Sequence, residues 1–242
     1  MTLADQKFFF KILDLANLRR GNRYNPFAYI RDDKDVTKLA SAIITGTKGL
    51  GKQADDEFAM AEATLYSALI GIIDSEAPED ERNMNTLVEG LRYMEPDKYE
   101  DGDKAKSAVD LLFDEKEADN PDSIFVRRYR EYENMAGNTA KEIIKSCTER
   151  LAQFDNSEAY DFFSDDELSL NSLTIPKTAL FVNSGTSDTA LNFIASLMYA
   201  QLYNTLWNEA SGDTKVNISN MPAVQHEISA KWRALLYQNQ KN

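Results

Sequence analysis

Apolar positions along this chain recur mostly at intervals of three and four, the spacing of one helix face, and give way to continuous apolar runs at two places. The first run, Phe8 to Leu15, reads FFFKILDL and predicts a buried strand. Thr178 to Val182, TALFV, introduced by Pro176, predicts a second. Between them helical spacing dominates. Asp32, Asp33 and Asp35 stand ahead of Val36, Leu39, Ile43 and Ile44, an acidic first turn feeding an amphipathic helix that the glycines at 46, 49 and 51 bring to an end. Asp55 and Asp56 open the strongest helical segment, with Phe58, Ala61, Leu65, Ala68, Leu69 and Ile72 on one face, which predicts a helix through the core.

Further along, Asn83 or Asn85 is placed to cap a helix through Met94, and Lys104 to Glu117 sets Val109, Leu112 and Phe113 on one side of another. Pro121 and Asp122 begin a helix bearing Ile124, Phe125, Tyr129 and Tyr132. Gly137 and Asn138 separate it from Thr139 to Phe154, whose apolar stripe is Ile143, Ile144, Cys147, Leu151 and Phe154. Leu191 to Trp207 follows the second strand as a long helical pattern, and Pro222 to Gln238 forms a last amphipathic one. No internal repeat is visible. The pattern predicts a mainly α protein, a multi-helix bundle with a minor β element of about two short strands from the flanks, able to pair and bring the ends of the helical part together. The predicted division is an N-terminal flank of residues 1–31, a helical domain of 32–175 and a C-terminal flank of 176–242.

Composition adds limits. With 242 residues and 43% hydrophobic positions the chain has ample material for a core. A single cysteine, Cys147, excludes an intramolecular disulfide framework and a thiolate zinc site, and fits a reducing, cytoplasmic compartment. The start MTLADQKFFFKILDL lacks the basic opening and cleavage site of a secretory signal. Apolar stretches such as Ala63 to Ile73 fall short of a membrane span, so no membrane contact is expected of this fragment.

Charge sharpens the picture by its location. The formal net charge is -13, and residues 74–122 hold 17 acidic and 6 basic side chains, hence -11 of it. That stretch is either a solvated face with turns or a docking surface for a basic partner, with Asp97, Glu100, Asp101 and Asp103 in its densest part. Indiscriminate attraction to nucleic acid is disfavoured. Arg127, Arg128 and Arg130, interleaved with Tyr129 and Tyr132, form the best basic and aromatic cluster. Helical spacing turns the tyrosines inward and the arginines toward water or acidic neighbours; the alternative is a single-strand nucleic-acid contact. Arg19, Arg20 and Arg23 form a second basic group.

Candidates for catalysis are weak. Gly46 to Lys52 satisfies seven positions of a phosphate-binding loop, but Gln53 replaces the magnesium-ligating hydroxyl, and a helical pattern precedes the loop where a strand should. His226 is the only histidine, Cys147 lies on an apolar stripe, and the pairs Asp32/Asp33, Asp55/Asp56 and Asp165/Asp166 stand ahead of helical patterns, where capping explains them. No catalytic residue, cofactor or metal site is assigned.

The succession FKILDL, YNPFAYIRDDKDV, the TKG glycine loop, DEF-x-x-AEATLYSALI, KTALFV and NFIASLMYAQLYNTL, spanning about residues 8 to 207, resembles TraG/TraD-like coupling proteins of conjugative type IV secretion systems. Tyr24-Asn25-Pro26-Phe27 and the Ala61-Glu62 helix are its most specific parts. The resemblance implies a membrane-anchored hexameric ATPase of RecA-like type with an all-α domain inserted in it. That insert recruits the relaxase, a relaxosome accessory protein or DNA for conjugation. It also implies that the two strands belong to the motor domain and that the TKG segment is an inter-helix loop. No intact phosphate-binding loop precedes Phe8, and Ser184-Gly185-Thr186-Ser187-Asp188 replaces the family's acidic turn, so the expectation is a substrate-recognition domain without ATPase activity, monomeric in isolation. The alternatives are a nucleotide-binding hydrolase using Gly46 to Lys52 and a self-associating helical scaffold.

Overall fold

Eight helices and one strand pair are present among the described residues of the computed structural model, which are 9–47, 56–94, 106–175, 178–185 and 190–211; all follow from these patterns except a short helix over Ser157–Phe163, which the spacing does not predict. Strand β1, Phe9–Asp14, pairs in parallel with β2, Thr178–Asn183, with Phe9 opposite Thr178 and Asp14 opposite Asn183. A bond from the Leu15 N–H to the Asn183 carbonyl, 2.7 Å, extends the ladder. The Asn183 amide donates to Asp14 Oδ1 at 2.9 Å, tying the two exits together. The flanks therefore enter and leave the helical region side by side.

Helix α1, Asp33–Gly46, is capped by Asp32, whose carboxylate accepts from the N–H groups of Lys34 and Asp35. Asn83 caps α3, Met84–Arg92, and Asn156 caps α7, Ser157–Phe163, in the same way. Each such cap is worth about 1 kcal/mol. Ser107 and Asp110 form a reciprocal capping box at the start of α4, Ala108–Asp119. Helix α5, Ile124–Ala136, ends at Gly137, whose φ of 45° lies in the left-handed region that favours glycine. Helix α6, Ala140–Leu151, continues into a 3-10 turn over Ala152–Phe154, and α8, Asn192–Ser211, follows β2.

At the centre lies α2, Asp56–Glu76, packed against α1, α3, α5 and α6. Leu65, Tyr66, Ala68, Leu69, Ile70, Ile72 and Ile73 are all buried, so this helix is apolar around most of its circumference because helices surround it. Its length and composition would also suit a membrane span, and here it is the core of the bundle. Two glycines permit close approach. A Cβ on Gly71 would stand 2.0 Å from the Phe125 ring of α5, and one on Gly46 would stand 2.3 Å from Phe193 of α8.

Three expectations need correction. The strands are not buried along their length: Leu13 and Leu15 are, but Phe10 is 59% and Phe181 55% exposed, with Phe9 and Ile12 exposed as well. Phe10, Ile12 and Phe181 share one face of a two-stranded sheet, and among the described residues no layer covers that face. Asp166, read as a capping residue ahead of a helix, instead accepts from the Tyr29 hydroxyl and from the N–H groups of Asn25 and Ser169. Leu112, placed on the apolar side of α4, is exposed, while Val109 and Phe113 are buried. The predicted helix of 222–238 and His226 lie outside the described residues.

Candidate functional site

The arginine cluster sits where α5 packs on α4, and the structure separates its members. Phe113 of α4 stacks on Tyr129 with ring centroids 3.9 Å apart, and the Tyr129 hydroxyl donates to Asp110 at 2.6 Å. Burial, then the Asp110 carboxylate, pushes the Tyr129 hydroxyl far above its ordinary pKa, so it remains a donor. With the tyrosines turned inward, Arg130 lies over the acidic surface of α4 and bonds Asp114 at 2.6 Å, Glu117 at 2.7 Å and Glu133 at 2.7 Å. Burial opposes its charge, but these carboxylates prevail and raise its pKa. Lys106 joins through Asp114, whose pKa the hydrogen bonds from Lys106 and Arg130 lower. Three carboxylates thus surround two cations, a net of -1.

Arg128 points its guanidinium over the Phe125 ring, 5.9 Å from the centroid, and donates to the Thr37 hydroxyl at 3.0 Å. Arg127 is exposed, with no ion pair among the described residues. Of the three arginines only Arg130 is paired with carboxylates among the described residues, and Arg127 is the exposed one of the other two. Asp97, Glu100, Asp101 and Asp103 lie outside the described residues. In the second basic group Arg19 pairs with Glu158, Arg23 pairs with Asp165 and Glu167, and Arg20 is exposed.

The glycine loop begins at a structural lock that the helical pattern did not single out. Glu62 of α2 is 0% exposed and Arg150 of α6 is 6% exposed. The guanidinium grips the carboxylate with two bonds, Nε to Oε1 at 3.0 Å and Nη2 to Oε2 at 2.9 Å. Its Nη1 donates to the Thr47 carbonyl at 3.1 Å. Burial opposes the Arg150 charge, and the hydrogen bonds and charge of Glu62 more than offset it. Arg150 therefore clamps the end of α1 to α2, at the residue where the loop leaves the helix. Next to it the Tyr66 hydroxyl donates to the Cys147 carbonyl at 2.7 Å. The Cys147 thiol is sealed, and burial pushes its pKa well up, which leaves it inert as a nucleophile. A glutamate inside AEATLYSALI was the sequence signal for this lock.

Tyr24-Asn25-Pro26-Phe27 is a second junction. The Tyr24 hydroxyl bonds Gln201 of α8, whose amide donates to the Pro26 carbonyl at 2.9 Å. The Asn25 amide donates to the Arg82 carbonyl at 2.7 Å, and its oxygen accepts from the Phe27 N–H at 3.0 Å. Tyr29 donates to Asp166 at 2.5 Å. Burial raises the Asp166 pKa against the hydrogen bonds it accepts. This segment binds the loop after β1 to α8 and to the turn before β2.

Among the described residues no group of three or more His, Cys, Asp or Glu side chains is placed to hold a metal. What the surface offers is charge and grooves, an arrangement suited to binding. A sequence profile of the family described as type IV secretory system, conjugative DNA transfer, matches residues 4–218. No protein of curated function matches significantly.

Proposed function

The chain belongs to the conjugative DNA transfer family of type IV secretory systems, as a TraG/TraD-like coupling protein, and on that premise we propose that its helices form the module that recruits cargo. Residues 32–175 receive the relaxase or a relaxosome accessory protein, with or without its DNA, on the cytoplasmic side, and residues 1–31 and 176–242 are flanks of the motor domain. The observation that carries this reading is the parallel pairing of β1 with β2. Parallel sheets are ordinarily covered on both faces. A two-stranded parallel pair with Phe10, Ile12 and Phe181 exposed supports its being part of a larger sheet, from which the helices hang as an insert.

The acidity supports a basic protein as the first ligand, since 74–122 carries -11 and the Arg130 knot leaves its own surroundings net negative. ATP hydrolysis is not assigned to this chain. The support is that the Gly46 to Lys52 loop leaves α1 at Thr47, a helix end clamped by Arg150, where a phosphate-binding loop would leave a strand. Pull-down of the cognate relaxosome by the full chain at low salt tests the reading. Expected is recovery that falls steeply with added salt, because exposed charges are screened within about 8 Å at physiological ionic strength. Empty beads at low salt refute it. ATP binding by calorimetry, abolished by Lys52→Ala, would favour the hydrolase alternative, and light scattering distinguishes a monomer from a scaffold.

A further inference from the structure

A groove of about 330 Å³ runs between α3 and the segment from the 3-10 turn at 152–154 into α7. Asn85, Val88, Glu89 and Arg92, one face of α3, form one wall, and Asp155 and Tyr160 stand on the other. Its chemistry is uneven. Asn85, 6% exposed, donates its amide N–H to the Tyr160 carbonyl at 2.9 Å, which fixes the amide's orientation and leaves Oδ1 as a buried acceptor without a donor. That acceptor is sealed beneath the groove floor, and the amide is held in place without meeting a ligand. Arg92 is paired with Asp155. Glu89 is exposed and makes no ion pair among the described residues, so the groove has one negative charge in excess. It also lies at the C-terminal half of α3, where the helix dipole favours a cation.

We propose that this groove receives a lysine or arginine side chain of a protein partner, its aliphatic stem against Val88 and Tyr160 and its charge facing Glu89. The inference rests on the cargo-recruiting reading above and names a subsite within it. The flanking Arg92–Asp155 pair sets a polar rim, and the stem gains apolar contact as long cationic side chains do.

The test is a titration of the ¹⁵N-labelled full chain with Ac-Gly-Lys-Gly-NH₂, Ac-Gly-Arg-Gly-NH₂ and the neutral Ac-Gly-Gln-Gly-NH₂. Expected are saturable shifts in amides 85–92 and 155–160 and in the Asn85 side-chain amide, with the cationic peptides only. Glu89→Gln should weaken binding by up to about fivefold, the range of an exposed ion pair, and Glu89→Lys should abolish it. Both substitutions are at the surface, so folding is preserved and is checked in the same spectra. Equal response to the neutral peptide, or no saturable shift in the groove, overturns the proposal. Shifts confined to 95–105 overturn it while leaving the acidic-surface reading standing, and failure of the relaxosome pull-down as well removes both.

Discussion

Replacing Glu62 by Gln is the most informative single change. The side chain keeps its shape and one acceptor, but Arg150 then carries a charge with no counter-ion at a site only 6% exposed. Breaking a buried pair from one side costs about 3–5 kcal/mol, and the retained amide oxygen places Glu62→Gln at the low end, about 3 kcal/mol. Against a total stability of about 5–15 kcal/mol, that is a large fraction. For a chain of this size about 3 kcal/mol lowers Tm by about 6–12 °C. Arg150→Met should cost at least as much, because it leaves the Glu62 carboxylate unpaired at 0% exposure and removes the donor at the Thr47 carbonyl. The double variant Glu62→Leu/Arg150→Met removes both charges and refills the volume, so it should recover most of the loss. Urea unfolding followed by circular dichroism gives all three values and the coupling energy of the cycle. The loss should barely change between low and high salt, since a buried pair is poorly screened. Single substitutions costing under about 1 kcal/mol, or a double variant showing the sum of the singles, would refute the lock.

Other outcomes follow from the same contacts. Gly71→Ala puts a methyl 2.0 Å from the Phe125 ring; overpacking of about 1–3 kcal/mol set against about 1 kcal/mol gained in helix propensity leaves a net loss of up to about 2 kcal/mol, and Phe125→Ala in the same chain should remove the clash term. Asp35 accepts from Arg31 at 2.9 Å and Lys38 at 2.8 Å, and although burial works the other way these two cations hold its pKa below the ordinary value. Its contribution is therefore complete above the unfolded pKa of about 3.9 and lost as pH falls through the lower folded value, so Asp35→Asn should flatten the acid limb of stability below about pH 4. Arg127→Ala should leave stability within about 0.5 kcal/mol of the parent and Tm nearly unchanged, whereas Arg130→Ala should lower Tm measurably by uncoupling α4 from α5. Equal Tm values for the two would show that the Arg130 knot is surface decoration.

The sequence pattern was legible where one face of an element meets the core. Helices α1 to α6 and α8 lie where spacings of three and four put them, with ends moved by a few residues: α3 stops at Arg92 ahead of the predicted Met94, and α4 starts at Ala108 after Lys104; α7, a seven-residue helix, was too short to show a period. The inward turn of Tyr129 and Tyr132 followed from helical period alone. Burial of the strands did not follow, because an apolar run specifies what a segment can be covered by, and coverage depends on neighbouring strands and helices. Arg150 was missed for a related reason. On the helix pattern it is one charged residue near a stripe, and only the approach of α6 to α2 brings it to Glu62. Asp166 looked like a cap until Tyr29, 137 positions away, closed on it. Local spacing carries the elements; pairings of distant polar groups need the fold.

These distant pairings share a location that bears on how the helices are mounted. Asn22 exchanges bonds with Ile12, accepting its N–H at 2.9 Å and donating to its carbonyl at 2.7 Å, and Gly21 allows the approach, since a Cβ there would stand 2.8 Å from Asp14 N. The outer edge of β1 is thus occupied, and continuation of the sheet is left to the β2 side. The loop that occupies it runs on into Tyr24 and Asn25, which hold Gln201 of α8 and the Arg82 carbonyl before α3, while Arg23 and Lys11 hold Glu167 on the way back to β2. Entry and exit are therefore fastened both to each other and to three separate parts of the bundle. A module attached by two independent single strands would swivel about them. This one is braced around the strand pair, so a load applied to the helices is carried into β1 and β2 through Tyr24, Asn25 and Glu167, and loosening any one of them should soften the mount before it unfolds the core.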